Sequence, residues 1–175
     1  KMHMDTQEND ASRLKEVYQQ LGYKTNKPTP EHLTMYRSWT HDYNLGHDVI
    51  LQACRQCVRK NANSFEYLDG MLKQWAKNGL TTVPEVKDFL SRRKATDNEV
   101  RAILERTGET ATNISGSERK LYRQWTEVWN MPFEVILLAA EYSSLAKDKI
   151  RFLNKILESW HEKGIRTVRA GKEDH

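Results

Sequence analysis

Apolar residues recur along the chain at intervals of three and four, and no segment sustains the apolar–polar alternation that marks a strand. The pattern predicts helices throughout. The first covers 10–21, with Leu14, Val17, Tyr18 and Leu21 on one face and Gly22 offering a left-handed C-terminal cap. The second begins after Thr29 with Pro30 at its first position, where the missing N–H has no helical partner anyway. Its stripe is Leu33, Tyr36, Trp39 and Tyr43. A third, 47–59, turns Val49, Ile50, Ala53, Cys54 and Cys57 inward, and a fourth, 64–78, stops at Gly79. A short fifth follows Thr82, with Glu85 placed for a capping box and Val86, Phe89 and Leu90 as its apolar face.

The same order then returns. Asp97 is read as opening a helix that ends at Gly108, and Ser115 or Ser117 as opening the next, which carries Leu121, Trp125 and Trp129. Asn130 is the expected cap of a third, with Pro132 near its start. Asp148 is the expected cap of a fourth that ends at Gly164. Residues 166–175 leave little room for a fifth, so the tail is expected to be frayed or truncated. The polar stretch 109–116 reads as a loop, and the charged stretch 92–97 as a short link.

The likeness between the halves extends to residue identity. Tyr36-Arg37-Ser38-Trp39-Thr40 returns as Tyr122-Arg123-Gln124-Trp125-Thr126, and Val49-Ile50-Leu51 with Ala53 returns as Val135-Ile136-Leu137 with Ala139. After a one-residue slip, Leu72, Trp75, Gly79, Thr82 and Val83 match Leu157, Trp160, Gly164, Thr167 and Val168. A repeat of roughly 85 residues is long enough for each copy to be a small domain. The expected fold is all-α: two tandem small helical bundles related by internal duplication, over 9–94 and 95–175.

Composition narrows the class. Hydrophobic residues make up 38% and charged residues 30%, a balance that leaves a wet surface around small cores. No run of about 18 apolar residues could span a membrane. The opening Lys1-Met2-His3-Met4 does not read as a secretory signal but as an appended segment, and the chain reads as an excised fragment. Two cysteines, Cys54 and Cys57, are too few for a disulfide-stapled secreted domain and fit a reducing cytoplasm. Their C-x-x-C spacing lacks the second ligand pair that a structural zinc needs, and the repeat places Ala140 and Ser143 there; small side chains packed against a neighbouring helix explain both copies. No phosphate-binding loop, nucleophile elbow, dinucleotide fingerprint or His-Glu-x-x-His motif occurs, so neither catalytic residues nor a cofactor or metal are expected. The net charge of +4 permits contact with nucleic acid without demanding it.

The fourth helix of each unit has the most telling spacing. It carries Tyr67, Met71 and Trp75 before Gly79-Leu80, and Phe152, Ile156 and Trp160 before Gly164-Ile165. This resembles the Y-x-x-x-I-x-x-x-W signature, followed by Gly-Ile, of the C-terminal domain of DnaD/DnaB-type primosomal replication proteins of low-GC Gram-positive bacteria and their phages. Each copy departs at one position: Met71 stands for the Ile, and Phe152 for the Tyr. The resemblance covers nearly the whole chain. It implies a non-catalytic module of replication initiation that binds single- and double-stranded DNA, self-associates, and works with a replicative helicase or other primosome proteins in helicase loading. It also places single-stranded DNA on the signature helix and the segment after it. A protein-interaction scaffold without DNA contact is the other reading.

Side chains four apart lie along one helical face, and such a stripe is usually core. Stacking on a base instead needs an open ring, and Trp75 and Trp160, flanked by polar residues near helix ends, are better placed for it than Met71 or Ile156. Candidate phosphate contacts are Lys73, Lys77, Arg92, Arg93 and Lys94 in the first unit. In the second they are Lys147, Lys149, Arg151, Lys155, Lys163, Arg166, Arg169 and Lys172. The competing reading for any single cation is a solvated charged face. With Tyr67 and Phe152, these residues define the expected DNA-binding site.

Overall fold

A computed structural model describes the backbone of residues 2–175 and the side chains of residues 9–175. The side chains of the Lys1-Met2-His3-Met4 opening lie outside the described residues. Helices α1 (Met2–Leu21), α2 (Pro30–Arg37), α3 (His47–Arg59) and α4 (Phe65–Lys77) come first. Then follow α5 (Val83–Arg106), α6 (Gly116–Arg123), α7 (Phe133–Tyr142), α8 (Lys149–Lys163) and α9 (Val168–Asp174). No strand occurs among the described residues, so the fold is all-α.

Helix starts follow local chemistry. Thr29 caps α2 by accepting from the His32 N–H, with Pro30 behind it. Ser64 caps α4 and Asp148 caps α8, accepting from the N–H groups of Tyr67 and Arg151. Ser115, not Ser117, caps α6, and with Glu118 it forms a reciprocal capping box. The Thr82–Glu85 pair closes differently: the Thr82 hydroxyl accepts from the Glu85 N–H at 3.4 Å and donates to its carboxylate at 2.7 Å. Asn130 is not a cap. Its backbone is left-handed, as is that of Asn44, and the cap position of α7 falls to Pro132.

Two compact units result, Lys1–Leu90 and Ser91–His175. Arg92, Arg93 and Lys94, assigned above to the first unit, go with the second. The stretch 92–97 is not a link. It has no Gly or Pro, its Arg, Lys and Ala favour helix, and α5 includes it. Asp97 therefore caps nothing; it receives a bidentate pair from Arg119, at 2.7 and 2.9 Å. Nor is the tail frayed: Thr167 caps α9 by accepting from the Ala170 N–H at 3.1 Å.

Each unit encloses its own core. In the first, Leu14, Val17, Tyr18 and Leu21 of α1 meet Val49, Ile50, Ala53, Cys54 and Cys57 of α3, and Leu68, Leu72 and Trp75 of α4. In the second, Val100, Ile103 and Leu104 meet Val135, Ile136, Ala139 and Ala140 of α7, and Leu153, Leu157 and Trp160 of α8. Burial pushes the Cys54 thiol up to about 12 and the Cys57 thiol up to about 11, which makes both poor nucleophiles.

The two units also share a local irregularity. α2 and α6 each end in a π-helical turn, Ser38–Asp42 and Gln124–Val128, which carries the buried Trp39 or Trp125. The wider turn is closed by Tyr43 N–H to Ser38 C=O at 3.1 Å and by Trp129 N–H to Gln124 C=O at 2.9 Å. Each indole then donates inward to the signature helix: Trp39 Nε1 to Asp69 Oδ1, and Trp125 Nε1 to Asn154 Oδ1, both at 2.8 Å. Removing a buried donor leaves its acceptor unsatisfied, which costs about 1–3 kcal/mol, and truncating a buried Trp costs about 3–5 kcal/mol. Trp125→Phe is expected to destabilise by the smaller amount and Trp125→Ala by the larger, read from denaturant unfolding followed by circular dichroism. Equal and negligible shifts would contradict this role.

Candidate nucleic-acid interface

The signature helices present their three marker residues on different terms. Trp75 and Trp160 are 3% and 2% exposed, and each packs into the core of its unit. Neither offers an open ring: the stripe takes the core placement at this end, and the polar neighbours of each indole do not open it to stacking. Those neighbours occupy other sides of the helix and say nothing about the face that the indole takes. Met71 and Ile156 are half-buried. The open rings are Tyr67 and Phe152, at 41% and 45% exposure.

The helical period explains the reversal. Asp69 and Asn154 point inward to the Trp39 and Trp125 indoles. A residue two positions earlier lies about 200° round the helix, which turns Tyr67 and Phe152 outward. Sequence reasoning missed Asp69 and Asn154; the repeat aligns them as two amide or carboxylate acceptors amid apolar positions, and that was the available signal.

Around the open rings the units diverge. On α8 the face of Phe152 continues through Lys155, Ile156 and Ser159 at helical spacings. These residues, with Trp160, Asp174 and His175, line a shallow groove of about 290 Å³. The matching face of α4 is Tyr67, Gly70, Met71 and Gln74, with no cation. Lys73 is turned aside into a 2.9 Å pair with Asp69, whose hydrogen bond raises the lysine above its ordinary range. Lys77 is exposed in the last turn of α4. On α5, Arg92 and Lys94 are exposed and Arg93 is half-buried.

The trailing cations are not a free cluster. Lys163 pairs with Asp174 at 2.9 Å. Arg166 Nη2 lies 3.1 Å from His161 Nδ1, and His161 stacks on Trp129 at a centroid distance of 5.3 Å. Arg169 meets Glu173 at 3.4 Å, and Lys172 is exposed on α9. The structure thus brings Phe152, Lys155 and the edge of the buried Trp160 to one groove of the second unit, with Lys163 tied to it through Asp174.

The family pattern for replication initiation and membrane attachment, DnaB_2, matches residues 14–90 and again 107–175. The chain belongs to this family, in two tandem copies. DnaB_2 membership assigns the protein a role in replication initiation, and the family is not known as a catalytic one. Its description includes membrane attachment; among the described residues no helix is long and apolar enough to cross a membrane. Neither a curated protein nor a solved structure matches the chain.

Asp174 joins the groove to a pH dependence. The Lys163 hydrogen bond holds its carboxyl below the ordinary value near 3.8, and the Trp160 N–H at 3.1 Å adds to this, against the opposing effect of desolvation. A carboxyl depressed in the folded state contributes stability above its unfolded value, and that contribution is lost as pH falls through the folded value. Docking of α9 is therefore expected to weaken below about pH 4. The Trp160 indole N–H resonance followed against pH should shift there in the wild type and stay flat in Asp174→Asn; identical titrations would contradict the assignment.

Proposed function

We propose that this DnaB_2 protein is a DNA-binding module of replication initiation, with single strands preferred, and that it assists helicase loading without catalysing a reaction. Its partners on this reading are DNA, a replicative helicase or other primosome proteins, and further copies of the chain. A cytoplasmic setting fits the two free, buried thiols.

One observation carries the reading: an aromatic ring left open on the signature helix in both units, with a lysine one turn on in the second. Bases stack on exposed rings with little regard to sequence, and lysines along the same face meet the backbone. Phe152 and Lys155 supply both. Tyr67 supplies a ring without an adjacent cation on its face, so the second unit is the stronger binder. Lys77, Lys94 and Lys172 add exposed positive charge, and Arg92, Arg93, Arg166 and Arg169 are secondary contacts.

The scaffold reading draws on a different observation. Leu145, between α7 and α8, is 98% exposed, and Val128 is 64% exposed. Such side chains suit a protein partner better than a polynucleotide.

Fluorescence anisotropy with a labelled single strand, over a salt series, separates the two. Stacking is worth about 1–3 kcal/mol per base, so Phe152→Ala should weaken binding roughly 5- to 150-fold. Lys155→Ala should lower the slope of log affinity against log salt by about 0.7. Both side chains are on the surface, so both variants should keep the wild-type fold. No binding by the wild type at low salt would overturn the DNA reading in favour of the scaffold.

A further inference from the structure

The α8 groove already contains an anion. The Asp174 carboxylate reaches back from α9 to accept from Trp160 Nε1 at 3.1 Å and from Lys163 Nζ at 2.9 Å. Phe152 and Lys155 line the same groove. A carboxylate held by an N–H and an ammonium occupies the kind of position that a phosphate oxygen takes. We propose that α9 is an internal competitor for nucleic acid: when it lifts, a phosphodiester replaces Asp174 on Lys163 and Trp160, and the Trp160 ring is uncovered beside Phe152. This rests on the DNA reading above and deepens it.

Three further observations support a helix that can lift. First, α9 has seven residues, and a helix that short is marginal without its docking contacts. Second, its contact with the ring depends on a glycine. A Cβ added at Gly171 would lie 3.0 Å from Trp160 Cη2 and 3.1 Å from Leu138 Cδ2, closer than side chains pack, so at this position α9 meets the indole with backbone alone and sends no side chain of its own into the core. Third, the duplicate lacks the device. At the positions of Gly171, Asp174 and Lys163 the first unit has Val86, Phe89 and Asn78. Val86 is fully buried, Phe89 packs on the core, and α5 continues for 24 residues. In the first unit Trp75 shares a core with Val86 and Phe89, whereas in the second the packing on Trp160 is supplemented by an ion pair that salt and phosphate can exchange.

The test compares single-stranded DNA binding by wild type, Asp174→Asn, Glu173→Gln and the double variant Asp174→Asn/Lys163→Met. Asparagine can keep the acceptor for Trp160 Nε1 while it removes the charge and the acceptor that holds Lys163. Glu173→Gln makes the same change in net charge on an exposed pair with Arg169. The proposal expects Asp174→Asn to bind at least about threefold tighter at low salt, with a slope steeper by about 0.7 for the released phosphate contact. It expects little gain from Glu173→Gln and loss of the gain in the double variant. In the wild type, amide hydrogen exchange over 168–174 should quicken when the strand is added, a readout that needs no variant. An unchanged Asp174→Asn affinity, an equal gain from Glu173→Gln, or slower exchange over 168–174 with DNA bound overturns the α9 proposal while leaving wild-type binding, and so the DNA reading, intact. Failure of every chain to bind at low salt overturns both.

Discussion

The indole N–H of a buried tryptophan has to be satisfied, and in both units of this chain it is satisfied by a side chain on the signature helix. That bond fixes more than a pair of residues. A π-helical turn lets Trp39 and Trp125 reach inward, and the acceptors Asp69 and Asn154 set the rotation of α4 and α8 about their own axes. Once that rotation is set, Trp75 and Trp160 go into the core, and Tyr67 and Phe152 go to solvent. The exposed aromatic is thus a consequence of the buried one.

Much of the architecture was legible in the sequence because its signals are local. Pro30 after Thr29, Ser64, Asp148, and the glycines at 22, 79, 108 and 164 bracket helices by cap chemistry and left-handed backbone, and the structure has them in those roles. The inward face of α3 follows from spacing alone. What failed was decided by competition between distant residues or by propensity that charge disguised. A run of arginine and lysine looks like a link but propagates helix, so α5 passes through it. Asp97 looks like a cap, but Arg119 claims it. The tail holds as α9 because Asp174 and Gly171 meet Trp160, a contact that no short window of sequence reveals.

The signature helices were legible in the sequence, and their surroundings were not. The repeat and the Tyr/Phe–Trp spacing mark α4 and α8 as matching helices, and the structure has a helix at each place. Periodicity could not say which end of the stripe faces in, since a stripe of three residues four apart drifts around the helix and its two ends need not share an environment. It also could not show that Lys73, Lys163 and Arg169 are engaged by neighbouring carboxylates. The two copies have therefore diverged in chemistry while keeping a fold: one signature helix carries an open ring without a cation on its face, the other a ring, a lysine and an ion pair with α9.

On the proposed reading, polynucleotide meets this DnaB_2 protein on the outward face of α8. Chemical-shift mapping by nuclear magnetic resonance, with a short single strand titrated into the isotope-labelled chain, tests it most directly. The largest changes should fall on Phe152, Lys155, Ser159 and Lys163, with smaller ones along α9. Changes confined to α1–α3, or centred on Leu145 and Val128 with α8 silent, would contradict it.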